Sequence, residues 1–295
     1  MYVVKITDGL GNQMFQYAFA KKLSLSSGQK VYIDTRYINN EDRPNRIGER
    51  SIFLKNSSRR EYGLNHFRIS LPVADKKILS HWSFLSCASE IDKLLFWFSQ
   101  NQLWRYRYLY EKQENKADFL SQVSYYLPTY MEGYFFNLKY YDDIKDVLQK
   151  EFRPKKQIKI CPKLRSILEK KNTVSIHIRR GDFLRLNRDI SEKSYYSNAI
   201  DLMRKYIENP IWLIFTDDIE WVKNNFDISG ETILISEMGY EAYEELIIMK
   251  NCKNHIIANS TFSYWAAYLN PKMDKVVICP KRWKPEIVPK EWIKI

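Results

Sequence analysis

The run Val174-Ser175-Ile176-His177-Ile178-Arg179-Arg180-Gly181-Asp182 decides how the fold is read. Its first half is an apolar stretch of strand length and its second half a basic turn. The same grammar repeats downstream. Apolar runs at 211–216, 232–236, 255–258 and 276–279 alternate with helical patterns at 194–208, 217–225, 240–250 and 262–269. Strands alternating with helices predict a parallel, Rossmann-like α/β sheet, whose ligands bind at the carboxyl ends of the strands. His177 and Arg179 then share one side of their strand and Arg180 takes the other. A guanidinium presents a fork of donors that matches phosphate oxygens and stays charged at physiological pH. One of the two arginines is thus the candidate anion ligand and the other an anchor of the turn, with Asp182 as its expected partner. A surface Arg–Asp turn is the plain alternative; the position directly after a buried strand favours the ligand role.

Two further strand ends carry polar groups. Asn259-Ser260-Thr261-Phe262-Ser263 opens a helix, where a hydroxyl caps the backbone and free amides and the dipole favour an anion. Thr216-Asp217-Asp218 also precedes a helix. Its adjacent carboxylates fit an N-cap plus a hydrogen bond to a nucleoside better than a divalent metal. His66, His81, His177 and His255 show no ligand spacing, so no metal is expected.

Towards the N-terminus, Tyr2-Val3-Val4-Lys5-Ile6 leads into Thr7-Asp8-Gly9-Leu10-Gly11-Asn12-Gln13. A helix is expected from Gln13 to Ser27, stopped by Gly28, and a second strand at 31–34 completes a βαβ unit. Gly9-Leu10-Gly11-Asn12 is an incomplete dinucleotide fingerprint, but a sound tight turn through which backbone at Gly11 approaches a ligand. Residues 43–60 read as a basic loop, 81–110 as helical, 129–133 as a strand and 137–151 as a helix. Phe152-Arg153-Pro154-Lys155-Lys156 reads as a boundary, giving domains 1–152 and 153–295.

A chain of 295 residues exceeds what one hydrophobic core usually supports, which agrees with two domains. The net charge of +12 is dispersed, implying anionic partners without a dedicated nucleic-acid arm. Aromatic residues make up 15%, read mainly as packing, although tyrosine also suits sugars. Cys87, Cys161, Cys252 and Cys279 have neither zinc nor disulfide spacing and read as buried thiols in a reducing compartment. With a strand at the start and no spanning apolar run, a cytoplasmic protein is expected. The stretch containing Trp82, Phe84, Phe96, Trp97, Phe98 and Trp104, followed by Arg105 and Arg107, reads first as packed helices. A membrane-surface face is the second reading.

Together, residues 8–18, 177–182, 215–218 and 258–267 resemble glycosyltransferase family 11, the α-1,2-fucosyltransferases, in its bacterial branch. The resemblance implies a GT-B-like α/β architecture: two facing Rossmann-like domains with the donor site in the cleft, the acceptor on the N-terminal side and GDP-fucose on the C-terminal side. It implies an inverting, metal-independent transfer of L-fucose from GDP-β-L-fucose to the 2-hydroxyl of a terminal β-galactoside, with no cofactor. By this resemblance Arg179 holds the β-phosphate, His177 and Asp182 shape the donor loop, and Ser260, Thr261 and Phe262 line the diphosphate. Asp217 lies near guanosine and Asn12 reaches the reacting centre, while Gly11 and Arg180 complete the donor-side set. The family often has two glycines before the leucine of its first motif, where this chain has Asp8-Gly9.

The acceptor is then expected to be a galactose-terminated oligosaccharide or lipid-linked glycan of an O-antigen-type polysaccharide, made with peripheral contact at the inner face of the cytoplasmic membrane. The rivals are a fucosyltransferase of another linkage, a transferase of another GDP-sugar, a non-enzymatic anion- or nucleic-acid-binding protein, and an NAD-dependent enzyme. No helix-turn-helix, RRM or zinc pattern supports nucleic acid, and the incomplete glycine fingerprint disfavours NAD.

Overall fold

A computed structural model describes residues 1–39, 61–86, 89–101, 105–111, 119–123, 126–181 and 193–295. The chain divides into two compact units, Met1–Arg153 and Pro154–Ile295.

The first unit holds a parallel sheet of β1 (Tyr2–Lys5), β2 (Val31–Asp34), β3 (Arg107–Tyr110) and β4 (Thr129–Glu132), in the order β2-β1-β4-β3. The chain leaves β1 towards β2 and returns on the other side through β3 and β4. The strand order therefore reverses where β1 meets β4, with Tyr2 beside Thr129 and Val4 beside Met131. The helix α1 (Leu10–Ser27) is buried almost all round in its first half, by Met14, Phe15, Tyr17, Ala18, Phe19 and Ala20. Phe19 stacks on Phe135 at 3.8 Å and meets Phe119 at 5.8 Å, so much of the aromatic content is packing. Gly28 ends the helix in the left-handed region, φ 63°, which costs a glycine little.

Several expectations need correction here. The first helix begins at Leu10 rather than Gln13, with Gly9 as its extended N-cap, so Gly11 and Asn12 belong to the helix and not to a loop. The stretch 81–110 holds a 3₁₀ segment (Ser80–Ser86), the helix α2 (Glu90–Gln100) and the strand β3. The single helix expected at 137–151 is two 3₁₀ turns followed by α3 (Lys145–Glu151), because Tyr141, at φ −157°, interrupts the run. Trp82 and Phe84 are core residues, whereas Ile91, Leu94 and Trp97 of α2 are exposed. Trp104 and residues 43–60 lie outside the described residues. No helix among the described residues is long and apolar enough to cross a membrane.

The second unit is a six-stranded parallel sheet of β5 (Thr173–Ile178), β6 (Ile211–Thr216), β7 (Thr232–Leu234), β8 (Asn254–Ile256), β9 (Val277–Cys279) and β10 (Ile293–Lys294). Its order, β10-β9-β8-β5-β6-β7, is the doubly wound one, reversing between β5 and β8. Alternate residues of β6 face opposite sides. Trp212 and Ile214 pack with Tyr195, Tyr196 and Met203 of α5 (Lys193–Tyr206), while Leu213 and Phe215 pack with Leu164 and Ile167 of α4 (Pro162–Leu168). Burial on both faces explains why these strands read as continuous apolar runs. Strand β10 and helix α4 add to the expected elements. Of the cysteines, Cys252 and Cys279 are buried as expected, Cys161 is exposed on the boundary segment, and Cys87 lies outside the described residues.

Candidate active site

The register of the second sheet sets Ile178 of β5 beside Thr216 of β6, and Ile176 beside Ile256 of β8. Turns at 179–181, 217–218 and 257–260 therefore open from one carboxyl edge, at the reversal of strand order where doubly wound sheets bind ligands. The turn after β5 is built on Asp217. Its Oδ1 accepts the Arg180 amide at 2.8 Å, and its Oδ2 pairs with Arg179 Nε at 3.1 Å. A Cβ on Gly181 would stand 2.6 Å from Asp217 Oδ2, so only glycine lets the turn close on the carboxylate. Asp217 is thus held by the Arg180 amide and the Arg179 guanidinium.

Arg180 points elsewhere. Its Nε meets Asp218 Oδ2 at 3.3 Å and its guanidinium lies 3.7 Å from the centre of the Trp221 ring. Asp218 also caps α6 (Ile219–Asn225) by accepting the Trp221 amide at 3.1 Å. Arg180 is therefore the anchor, but on Asp218 and Trp221; the expected partner Asp182 lies outside the described residues. The strand alternation that separates Arg179 from Arg180 was legible, and the identity of their carboxylates was not.

His177 is buried beside Arg179, and its carbonyl accepts the Tyr196 hydroxyl at 3.0 Å. Burial first, and the neighbouring Arg179 charge second, push its pKa down to about 3. A ring held neutral in this way carries no cation at physiological pH and is a poor proton acceptor. No hydrogen-bond partner among the described residues meets its Nδ1, while its ring lies 5.6 Å from that of Phe262. Ser260 caps α8 (Thr261–Leu269), the helix after α7 (Ala242–Asn251), by accepting the Phe262 amide at 3.3 Å. His177, Arg179, Asp217, Ser260, Thr261 and Phe262 thus gather at one edge.

A cavity of about 710 Å³ opens beside this edge, lined by Thr216, Asp217, Asp218, Lys223, Ser236 and Glu237. That volume suits a nucleoside-sized ligand. Ser236 Oγ accepts the Thr216 amide at 2.9 Å, and Lys223 pairs with Glu237. Ser236 and Glu237 were not among the expected site residues. Their signal was a polar pair after the β7 run, the position that had marked Asp217. Among the described residues no group of three or more His, Cys, Asp or Glu is placed to hold a metal ion.

Gly11 and Asn12 belong to the first unit. Gly11 is buried in the first turn of α1; Asn12 is partly exposed and donates its amide to the Gly9 carbonyl at 2.9 Å. Two residues of the same motif carry more structure than expected. Gln13 Nε2 donates to the Asp8 and Glu61 carbonyls, both at 2.8 Å, and Gln16 accepts the Thr7 amide at 2.8 Å. These buried amides lock the corner between β1 and α1.

The family model for glycosyl transferase family 11 matches residues 1–294. The chain belongs to that family. Among family relatives it is 29% identical to the O-antigen biosynthesis glycosyltransferase WbnK of Escherichia coli, over 98% of this chain and 99% of that protein. It is 26% identical to an alpha-1,2-colitosyltransferase of Escherichia coli, over 99% of this chain and 98% of that protein. Among solved structures, Arabidopsis thaliana FUT1, an arginine-to-lysine variant in complex with GDP, matches with a TM-score of 0.50 at 12% identity. The match covers 98% of this chain and 72% of that one. At that identity the likeness is one of fold, a GT-B-type pair of Rossmann-like units. This family member is a glycosyltransferase.

Proposed function

We propose that the chain transfers L-fucose from GDP-β-L-fucose to the 2-hydroxyl of a terminal β-galactoside, with inversion. The observation that carries this reading is the carboxyl edge between β5 and β8. There Arg179, held through Nε by Asp217, stands with the N-terminus of α8, beside a nucleoside-sized cavity. The GDP in the FUT1 structure, the 1,2 linkage in the name of the colitosyl relative and the O-antigen role in the name of WbnK support it further.

In this mechanism the acceptor hydroxyl attacks C1 of the donor sugar as the C1–O bond to the β-phosphate breaks. The transition state carries oxocarbenium character, and negative charge grows on the departing diphosphate. Arg179 and the N-terminal turn of α8 at Ser260 and Thr261, with the Phe262 amide holding the Ser260 cap, meet that charge, which stabilises the transition state more than the bound donor. Arg180 and Asp218 keep the turn in place, and the neutral His177 orients it. Guanosine occupies the cavity beside Asp217. Asn12, partly exposed in the first turn of α1, is assigned to the reacting centre, while Gly11 is buried in that turn. No metal is assigned a role, so turnover should persist in excess chelator; strict dependence on Mg²⁺ would refute this part. The acceptor is proposed to be lipid-linked, with Ile91, Leu94 and Trp97 touching the anionic membrane face.

A second reading replaces fucose by another GDP-linked sugar such as colitose, and is favoured by the whole-length colitosyltransferase match. Incubation with a panel of GDP-sugars and galactosides, followed by linkage analysis, tests both. An α-1,2-fucoside supports the first reading. Turnover of a different GDP-sugar with none of GDP-fucose supports the second.

A further inference from the structure

The carboxyl edge of the first sheet holds a carboxylate with no part in the chemistry above. Asp8 follows β1 at the junction with β4, where the strand order reverses. Its φ is 63°, in the left-handed region that residues with a Cβ rarely adopt. Glycine takes that conformation without strain. The backbone is held there from several sides. Gln13 Nε2 donates to the Asp8 carbonyl at 2.8 Å while Gln13 Oε1 accepts the Gly63 amide at 3.0 Å. Gln16 grips Thr7, donating to its Oγ1 at 2.9 Å, and reaches the Gly133 carbonyl at 3.1 Å.

The Asp8 side chain is aimed as well. Tyr134 Oη, beyond the end of β4, donates to Asp8 Oδ2 at 2.6 Å, and Thr7 Oγ1 adds a longer contact at 3.4 Å. Tyr134 is itself fixed: its ring stacks on Phe136 at 5.2 Å and 3°, and Phe136 meets Phe15 of α1 edge-on at 4.9 Å. Among the described residues no donor meets Oδ1. The other carboxylates of this edge are occupied by the fold. Asp34 holds Arg36 and Tyr130, Glu132 holds Lys5 and Tyr108, and Glu111 holds the Tyr134 amide. Asp8 is partly exposed, with one oxygen immobilised and the other turned to no described group.

We infer that Asp8 binds a hydroxyl of the acceptor sugar and sets acceptor preference, an inference that rests on the transferase function proposed above. A carboxylate accepts from a neutral polyol and repels phosphate, so this edge selects the uncharged acceptor over the diphosphate.

Steady-state kinetics on Asp8→Gly, Asp8→Asn and Tyr134→Phe, with GDP affinity and thermal midpoint measured alongside, tests this. Asp8→Gly should raise the acceptor KM roughly tenfold to a hundredfold, the size of one charge-assisted hydrogen bond, and reorder an acceptor panel. GDP affinity should hold, and the midpoint should stay level or rise because glycine relieves the left-handed backbone. Asp8→Asn should fall between Asp8→Gly and wild type, and Tyr134→Phe should raise the acceptor KM less than Asp8→Gly. An Asp8→Gly enzyme with wild-type acceptor KM and ranking overturns the assignment while leaving the transferase reading intact. A lowered midpoint with weakened GDP binding also overturns it, showing a structural role. A wild-type chain that binds no GDP overturns both.

Discussion

Both sheets are parallel and both reverse their strand order beside their first strand, yet their carboxyl edges carry different groups. At the edge of the second unit Arg179 and Arg180 are each paired with an aspartate of their own, Asp217 and Asp218. At the edge of the first, Asp8, Asp34, Glu111 and Glu132 gather, most of them bound by tyrosines, lysine or backbone amides. On the reading proposed above, one architecture would serve an anion site and a polyol site by changing only the residues at strand ends.

The largest test of that contrast is Arg179→Ala. Loss of one preorganised donor to the leaving phosphate should lower kcat/KM by ~3 kcal/mol, about a hundredfold, with the acceptor KM little changed. Normal turnover would remove the anion site from the second unit.

Next comes the buried network of the first unit, where Glu151 accepts from Tyr17, from Lys21 at 2.5 Å and from Ser70 at 2.7 Å. Glu151→Ala removes the acceptor of the Tyr17 and Ser70 hydroxyls, while Lys21 keeps Ser70 Oγ at 2.7 Å, and should destabilise the first unit by about 2 kcal/mol. Calorimetry reads the loss, and GDP affinity should be retained. Gly28→Ala should cost ~1 kcal/mol in the same unit, because alanine at φ 63° crowds its Cβ against the carbonyl. An unchanged midpoint would show that the helix end relaxes.

Near neutrality the smallest effect is that of pH, and it should separate the two units. Burial, aided by neighbouring cations, holds His177 and His255 at about 3, against an ordinary value of 6.5. His255 is locked neutral between Ser175 Oγ at 2.8 Å and Asn270 Nδ2 at 2.7 Å. The unfolded chain takes these protons first. Stability from these histidines is therefore full above about 6.5 and falls as the pH drops towards 3. For Glu151, burial raises the pKa, but hydrogen bonds from Lys21, Tyr17 and Ser70 outweigh it and hold the group below its ordinary 4.5. Its contribution is present above about 4.5 and lost as the pH falls through the lower folded value. Hydrogen-exchange mass spectrometry between pH 7 and 5 should show protection falling in the second unit before the first. The reverse order would contradict this account.

Legibility in the sequence followed the same division. The strands β5 to β9 are short apolar runs bounded by turns, so period and punctuation mark them without outside help. The strand β3 was hidden inside an aromatic stretch that reads as helix, and its state is decided by pairing with β4. The two-residue β10 follows a proline-containing segment and is defined by its register with β9. At the site, Arg179, Arg180 and Ser260 were visible as polar groups at strand ends. Ser236 and Glu237 carry the same mark after β7, whereas the Gln13–Gln16 lock has none, since nothing local marks a buried amide as a brace.

By itself, then, the sequence determined where the chain turns, which residues stand at the ends of buried strands, and that a guanidinium would be among them. These are local properties, set by side-chain periodicity and by backbone preference. Only the tertiary structure decided that Asp217 clamps Arg179 while Asp218 takes Arg180, and that Tyr134 reaches Asp8 across 126 positions of sequence. Such pairings depend on which strands become neighbours and in what register. That choice comes from burying both faces of each sheet at once, and no short stretch of sequence contains it.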